Sequence, residues 1–249
     1  LCEVHDLHVT RGGSPLIYAN RAYGASMRIE GASNLAVGRA RAGAGLTVGC
    51  FHTFAPYVMP RLIRQMETTP LRLIEGDQRR LRESLASGEC EVALLYDIDI
   101  EPEFERLPLA ELEPYVLLPD NHRLARQFEV MPEDLAEEPM VLLDAPPSAE
   151  YFLGLLRAAR VEPLVAYRSS SFEMVRGMVG HGLGYALLST KPAADMTYDG
   201  MKLVTRPLIG GNATSRIVLA HARGAELSPA AERFAALCRR VFGPEMPQG

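Results

Sequence analysis

Leu46-Thr47-Val48-Gly49-Cys50-Phe51-His52-Thr53-Phe54-Ala55-Pro56-Tyr57-Val58-Met59-Pro60 reads as a short strand, a tight loop and the first turn of a helix. Residues 46–50 are β-branched or apolar, as a parallel strand covered on both faces requires. Gly49 lets another part of the chain pass closely. Thr53 suits an N-cap and Pro56 the first helical turn. A helix that starts at the carboxyl end of a parallel strand presents free N–H groups and a favourable dipole, the place where open α/β sheets bind ligands, anions above all. The expectation is a loop that senses a small molecule.

Outward from this stretch the pattern alternates. Strands fit 71–75 and 91–96, and helices fit 56–67 and 78–88, the second closed by Gly88. That is a β-α-β-α-β unit with a parallel sheet and right-handed crossovers. Extended runs follow at 104–109 and 115–118. A second α/β unit comprises strands at 140–143, 164–168 and 184–189 and helices at 148–160 and 171–180. Late strands fit 202–208 and 216–222, and Ser228 caps a final helix to about 242. Upstream, Ser14 and Pro15 open a helical segment, 14–42, with Gly24, Gly31 and Gly38 seven apart on one face. Each glycine costs about 1 kcal/mol against alanine. The segment is therefore either a smooth face for a second helix or a weak linker, ending in the flexible joint 42–45.

Composition narrows the function. The chain has 249 residues, 47% of them hydrophobic and 23% charged, with a net charge of −5. That balance argues against coating nucleic acid by charge alone. Cys2, Cys50, Cys90 and Cys238 are scattered without metal-ligand spacing and read as free thiols, with Cys50 and Cys90 at opposite ends of the sheet. No apolar run approaches the roughly 18 residues of a membrane span, and no signal peptide opens the chain, so a cytoplasmic protein is expected. The chain begins at Leu1, so a true N-terminus upstream is expected. No catalytic triad order, H-E-x-x-H, P-loop or nucleophile elbow appears; no enzyme, metal or cofactor is expected. Gly182 and Gly184 precede a strand instead of following one, the wrong order for a dinucleotide fingerprint.

The order of several short motifs carries a resemblance. Glu75-Gly76, Leu81, Leu85, Gly88, Glu91, Val92 and Ala93 are similar to E-G-x4-L-x3-L-x2-G-x2-D-x-A, with Glu91 in place of Asp. His122-Arg123-Leu124-Ala125 resembles H-P-L-A; Asp134-Leu135 with Pro139–Leu143 resembles a DL…P…L segment; Gly182-Leu183-Gly184-Tyr185-Ala186 resembles G-x-G-I-A. Together they resemble the effector-binding domain of LysR-type transcriptional regulators over about 46–242. Residues 7–13 resemble the family's L-x-L-T-x-x-G after its DNA-binding wing, although the positions before Thr10 carry no Lys or Arg.

The resemblance implies two Rossmann-like α/β subdomains of the type 2 periplasmic-binding-protein fold, preceded by a linker helix. Residues 1–13 would be a remnant of a winged helix-turn-helix and 14–45 the linker helix. Subdomain I would span 46–119 and 218–242, subdomain II 120–217, with 243–249 a tail. It implies a small-molecule effector, expected to be acidic, in the cleft between subdomains. It also implies self-association as a dimer or tetramer, and DNA contact only through a helix-turn-helix outside this chain. The candidate ligand-binding residues are Thr53, His52, Asp77, Gln78, Pro147, Ser148, Ser171 and Phe172. Thr53 falls where the family places a Ser or Thr on the ligand, although an N-cap would use the same residue. His52 could add positive charge. Asp77 and Gln78 open the second helix, where capping also explains them. Ser169-Ser170-Ser171 supplies more hydroxyls than one cap needs, and Phe172 fits either a ligand face or the core. A solute-binding protein of the same fold is the alternative, to be told apart by a signal peptide upstream of Leu1. A free dimerising fragment that poisons intact regulators is a third reading, and a strict monomer would count against it.

Overall fold

The computed structural model describes residues 45–66, 69–210 and 214–242. The expected wing remnant, linker helix and tail, with Cys2, lie outside these residues. The first sheet has the order β2-β1-β3-β10-β4. Its strands are β1 (Leu46–Phe51), β2 (Leu71–Gly76), β3 (Val92–Tyr96), β4 (Phe104–Leu112) and β10 (Ser215–Ala222). β1 runs parallel to β2 and β3, while β10 lies antiparallel between β3 and β4. α1 (Ala55–Gln65), α2 (Gln78–Ala86) and α5 (Pro229–Phe242) accompany this sheet, and Val48, Phe51, Leu94, Leu219 and Phe234 lie in its core.

The second lobe holds β5 (Tyr115–Pro119) between β8 (Ala186–Leu188) and β9 (Leu203–Pro207), both antiparallel to it. β6 (Pro139–Leu143) pairs in parallel with β7 (Leu164–Ser169). A parallel bridge between Met140 and Tyr185 joins β6 to the β8 segment. There the Tyr185 N–H donates to the Pro139 carbonyl at 2.9 Å and the Val141 N–H to the Tyr185 carbonyl at 2.7 Å. α3 (Ser148–Ala158) and α4 (Phe172–Gly180) contribute to separate apolar clusters, around Phe152 and Leu156 and around Phe172 and Val175.

Local chemistry accounts for the packing. Gly49 faces α2. A Cβ there would stand 2.9 Å from the Ala93 Cβ and 3.1 Å from a Leu81 methyl, so only hydrogen leaves room for the helix. α2 buries Leu81 and Leu85 and turns Arg79 and Glu83 outward, the 3.6-residue pattern of a helix lying on a sheet. Glu91, read in place of an aspartate, accepts from the Ser228 N–H at 2.5 Å and from its hydroxyl at 2.8 Å. Ser228 in turn caps α5 through the Ala231 N–H at 3.2 Å. The motif thus fastens the last helix to the start of β3.

Several expectations change. The chain crosses between lobes near Pro114, not at 119, because β5 finds its hydrogen-bond partners in β8 and β9. The return crossing precedes β10, which begins at Ser215 instead of 216–218. Thr53 is not the cap of α1: the helix starts at Ala55, Phe54 occupies the cap position without a side-chain bond, and Pro56 lies in the first turn. Two short 3₁₀ turns, Arg123–Arg126 and Pro132–Leu135, occupy the H-P-L-A-like and DL segments where no element was expected.

Candidate functional site: a hydroxyl-lined cleft between the lobes

The loop after β1, the end of β3, the starts of α3 and α4 and the segment after β8 meet around one small cavity. These are carboxyl ends of strands and amino ends of helices, where side chains can converge without interrupting a sheet ladder. Thr53, Tyr96, Ser148, Ser189, Thr190 and Ser215 bring hydroxyls to its wall; Phe172, Leu143 and Leu188 bring apolar surface. No Asp, Glu, Lys or Arg lines it.

Tyr96 lies at the centre. Its hydroxyl is 3.0 Å from the Thr190 hydroxyl and 3.4 Å from that of Thr53. Gln78 holds the backbone beneath, donating through Nε2 to the Tyr96 and Ile98 carbonyls, each at 2.8 Å. Burial raises the Tyr96 pKa, against the opposing hydrogen bonds of Thr190 and Thr53, and the phenol stays neutral. Tyr115 donates to the Thr190 carbonyl at 2.7 Å, and burial likewise raises its pKa. Tyr151, on α3, is hydrogen-bonded to Ser215 on β10, and its pKa is raised mainly by burial. The Ser189 hydroxyl is buried and has no hydrogen-bond partner among the described residues.

Beside the cavity, Tyr57 reaches from α1 into the α4 cluster. Its ring meets Phe172 edge-on at 5.8 Å and its hydroxyl donates to Glu173. Burial first, then the Glu173 bond and charge, push its pKa up. The other Glu173 oxygen accepts from Arg176 Nε at 3.3 Å. Arg176, 3% exposed, also donates to the Ala194 and Met196 carbonyls. Nε and Nη2 of the buried guanidinium thereby find a carboxylate and two carbonyls, the kind of partners its desolvation demands.

Of the expected site residues, Thr53, Ser148 and Phe172 are brought together on the cavity wall, and Gln78 supports it from below. The other four lie off the wall. The His52 ring stacks on Phe51 at 4.8 Å, with Nδ1 3.1 Å from the Gly76 carbonyl. Asp77 caps α2, accepting from the Arg80 N–H at 2.8 Å, and Ser171 caps α4, accepting from the Met174 N–H at 3.3 Å. Pro147 stands at the cap position of α3 after the cis Pro146–Pro147 bond. Sequence reasoning missed Tyr57, Tyr96, Tyr151, Ser189 and Thr190. The available signal was polar side chains where strands β3 and β8 run out, a place apolar periodicity does not mark.

Two α/β lobes around a lined cleft are the architecture of the type 2 periplasmic-binding-protein-like fold. The LysR substrate binding domain profile matches residues 40–243, and the chain belongs to that family. Its members are transcriptional regulators, not enzymes. The Bacillus subtilis HTH-type transcriptional regulator YvbU is 30% identical over 207 residues, 80% of this chain and 68% of that one. HinK, a LysR family transcriptional regulator from Pseudomonas aeruginosa, superposes with a TM-score of 0.76 at 40% identity, covering 80% of this chain and 72% of that one. The effector-binding domain of QuiR, solved with shikimate, shares the fold at a TM-score of 0.68 and 17% identity, covering 80% of this chain and 97% of that one. Among the described residues no helix is long and apolar enough to cross a membrane.

Proposed function

We propose that this chain is the effector-sensing, self-associating part of a LysR-type regulator acting in the cytoplasm. Its effector would be a small organic acid bound in the cleft between the lobes. The observation that carries this reading is the hydroxyl-rich wall that both lobes build at the helix starts. Thr53, Tyr96 and Ser148 supply donors and no carboxylate faces inward, so an acid group meets hydrogen-bond donors and helix dipoles without like charge. The shikimate found in the QuiR domain is a ligand of that chemistry in the same fold. Sensing needs differential affinity between two arrangements; a tenfold population shift takes about 1.4 kcal/mol, within reach of one or two hydrogen bonds. Self-association is supported by exposed apolar side chains, Ile63 on α1 and Leu164 and Tyr167 on β7, the last an edge strand among the described residues. In the whole regulator, DNA would be read by a helix-turn-helix outside the domain described.

A thermal-shift screen with small organic acids, shikimate and benzoate among them, tests the reading. A true hit raises the melting temperature of the parent. Thr53→Ala removes that rise while its own ligand-free melting temperature stays within a few degrees; a mutant stabilised as fully as the parent takes Thr53 out of the site.

A further inference from the structure

We propose that the effector holds the two lobes apart, and that binding breaks the hydrogen bond between Tyr57 and Glu173 instead of drawing the lobes together. The inference rests on the cleft being the effector site. It follows from how the cleft is filled. The cavity leaves about 10 Å³ for the centre of a water-sized sphere, the room of one water molecule. Ligand pockets of drug-like size run to roughly 300–1,000 Å³. A molecule the size of a single six-membered ring therefore has no place while the lobes stand as described.

The closed arrangement is built by three tyrosines, each crossing the seam. Tyr57 of α1 donates to Glu173 of α4, and Tyr96 of β3 meets Thr190 after β8. Tyr151 of α3 is bonded to Ser215 of β10. The lobes thus satisfy each other's hydroxyls, as a ligand would. Tyr57 is the one that yields at least cost. Glu173 keeps Arg176 as partner when Tyr57 leaves, so parting strands no buried charge. The Tyr57 phenol, already partly exposed, regains water or a ligand group. Opening there lifts the Tyr57 ring from Phe172 and frees an apolar face beside the unpartnered Ser189 hydroxyl. The ligand class that fits is a molecule with a flat apolar body for Phe172 and hydrogen-bonding groups for Ser189 and Tyr57. Because the seam bonds compete with the ligand, its apparent affinity is the intrinsic one multiplied by the open fraction, and loosening the seam strengthens it.

The test tethers a ring inside the cleft. Ser189→Cys is treated with benzyl methanethiosulfonate in a Cys2→Ser background; Cys50, Cys90 and Cys238 are buried and serve as silent thiols. The expected results are modification at least tenfold slower than at the exposed control Ala158→Cys, acceleration of at least tenfold by Tyr57→Phe, and a larger radius of gyration by small-angle scattering once the benzyl group is attached. Modification as fast as at the control, no acceleration by Tyr57→Phe, or an adduct as compact as the unmodified protein overturns the proposal. Tyr57→Phe keeps the ring on Phe172; should it melt early, Thr190→Val, which removes the Tyr96 bridge, serves the same purpose, as Thr53→Cys does for the tether. The reagent carries no acid group. A screen in which no organic acid binds, beside a slow and gated reaction of the Ser189→Cys variant, therefore counts against the effector class and not against the wedge.

Discussion

Gly182 and Gly184 belong to one motif, yet their substitution by alanine should differ severalfold in cost. Gly184 has φ near +147°, and a Cβ there would lie inside contact distance of the Pro139 carbonyl oxygen and 2.9 Å from its carbon. That carbonyl accepts the Tyr185 N–H, the bond that begins the bridge between β6 and the β8 segment. Alanine must therefore adopt a conformation that costs about 1–3 kcal/mol and push two backbones apart for a further ~1–3 kcal/mol. A total of roughly 4 kcal/mol is expected by adding the two middle values. Gly182, with φ near +74°, has nothing within 4 Å of its would-be Cβ. Gly182→Ala meets only the left-handed penalty of about 1–2 kcal/mol. With a urea m-value of about 2.5 kcal/mol/M, the midpoint should fall by roughly 1.6 M for Gly184→Ala and about 0.6 M for Gly182→Ala. The chain has no Trp and nine Tyr, so tyrosine fluorescence and far-ultraviolet dichroism follow the transition. Equal midpoint shifts at unchanged m would refute the steric reasoning.

Glu91→Ala should cost about 1.5–3 kcal/mol through its two lost bonds to Ser228. Scanning calorimetry should show a melting temperature several degrees lower, and Glu91→Asp should recover part of it; an unchanged melt denies the fastening role. Alkaline pH should destabilise the fold through its thiols. Burial pushes Cys90 and Cys238 up to about 12 from 9.0. Below pH 9 both folded and unfolded thiols are protonated and contribute no pH dependence. Above it the unfolded chain releases protons that the folded chain keeps, so stability falls as pH rises towards 12. Urea midpoints at pH 8, 9.5 and 10.5 should decline in that order, and Cys90→Ala with Cys238→Ala should make the decline shallower, with buried Cys50 and the buried tyrosines carrying the remainder.

Much of the architecture was legible because burial writes itself into periodicity. The apolar runs of β1 and β3 and the amphipathic α2 and α5 stand within a few residues of where their patterns place them. What periodicity does not encode is partner choice. β5 is a fully buried strand in either lobe, and only pairing with β8 and β9 assigns it. Thr53 has the chemistry of a cap and the surroundings of a wall residue; the loop turns one residue longer than capping preference suggests, and Phe54 takes the cap. His52, Asp77 and Ser171 show the converse, polar groups near helix starts with backbone partners of their own. The seam tyrosines were invisible because each acts on a residue far away in sequence, 116 positions for Tyr57 and Glu173.

The last strand of the chain lies inside the first sheet. β10 is hydrogen-bonded to β3 on one side and β4 on the other, and Phe234 and Cys238 of the helix that follows are buried in the same core. During synthesis the first lobe therefore waits. Its strands up to β4 leave the ribosome with a gap in their midst, while residues of the second lobe, contiguous from β5 to β9, can already collapse on their own contacts. Only when the segment through Phe242 emerges can the earlier lobe shut. A chain halted before β10 would thus expose the inner edges of β3 and β4 as open templates for aggregation, and the first lobe closes only once residues 215–242 have joined it.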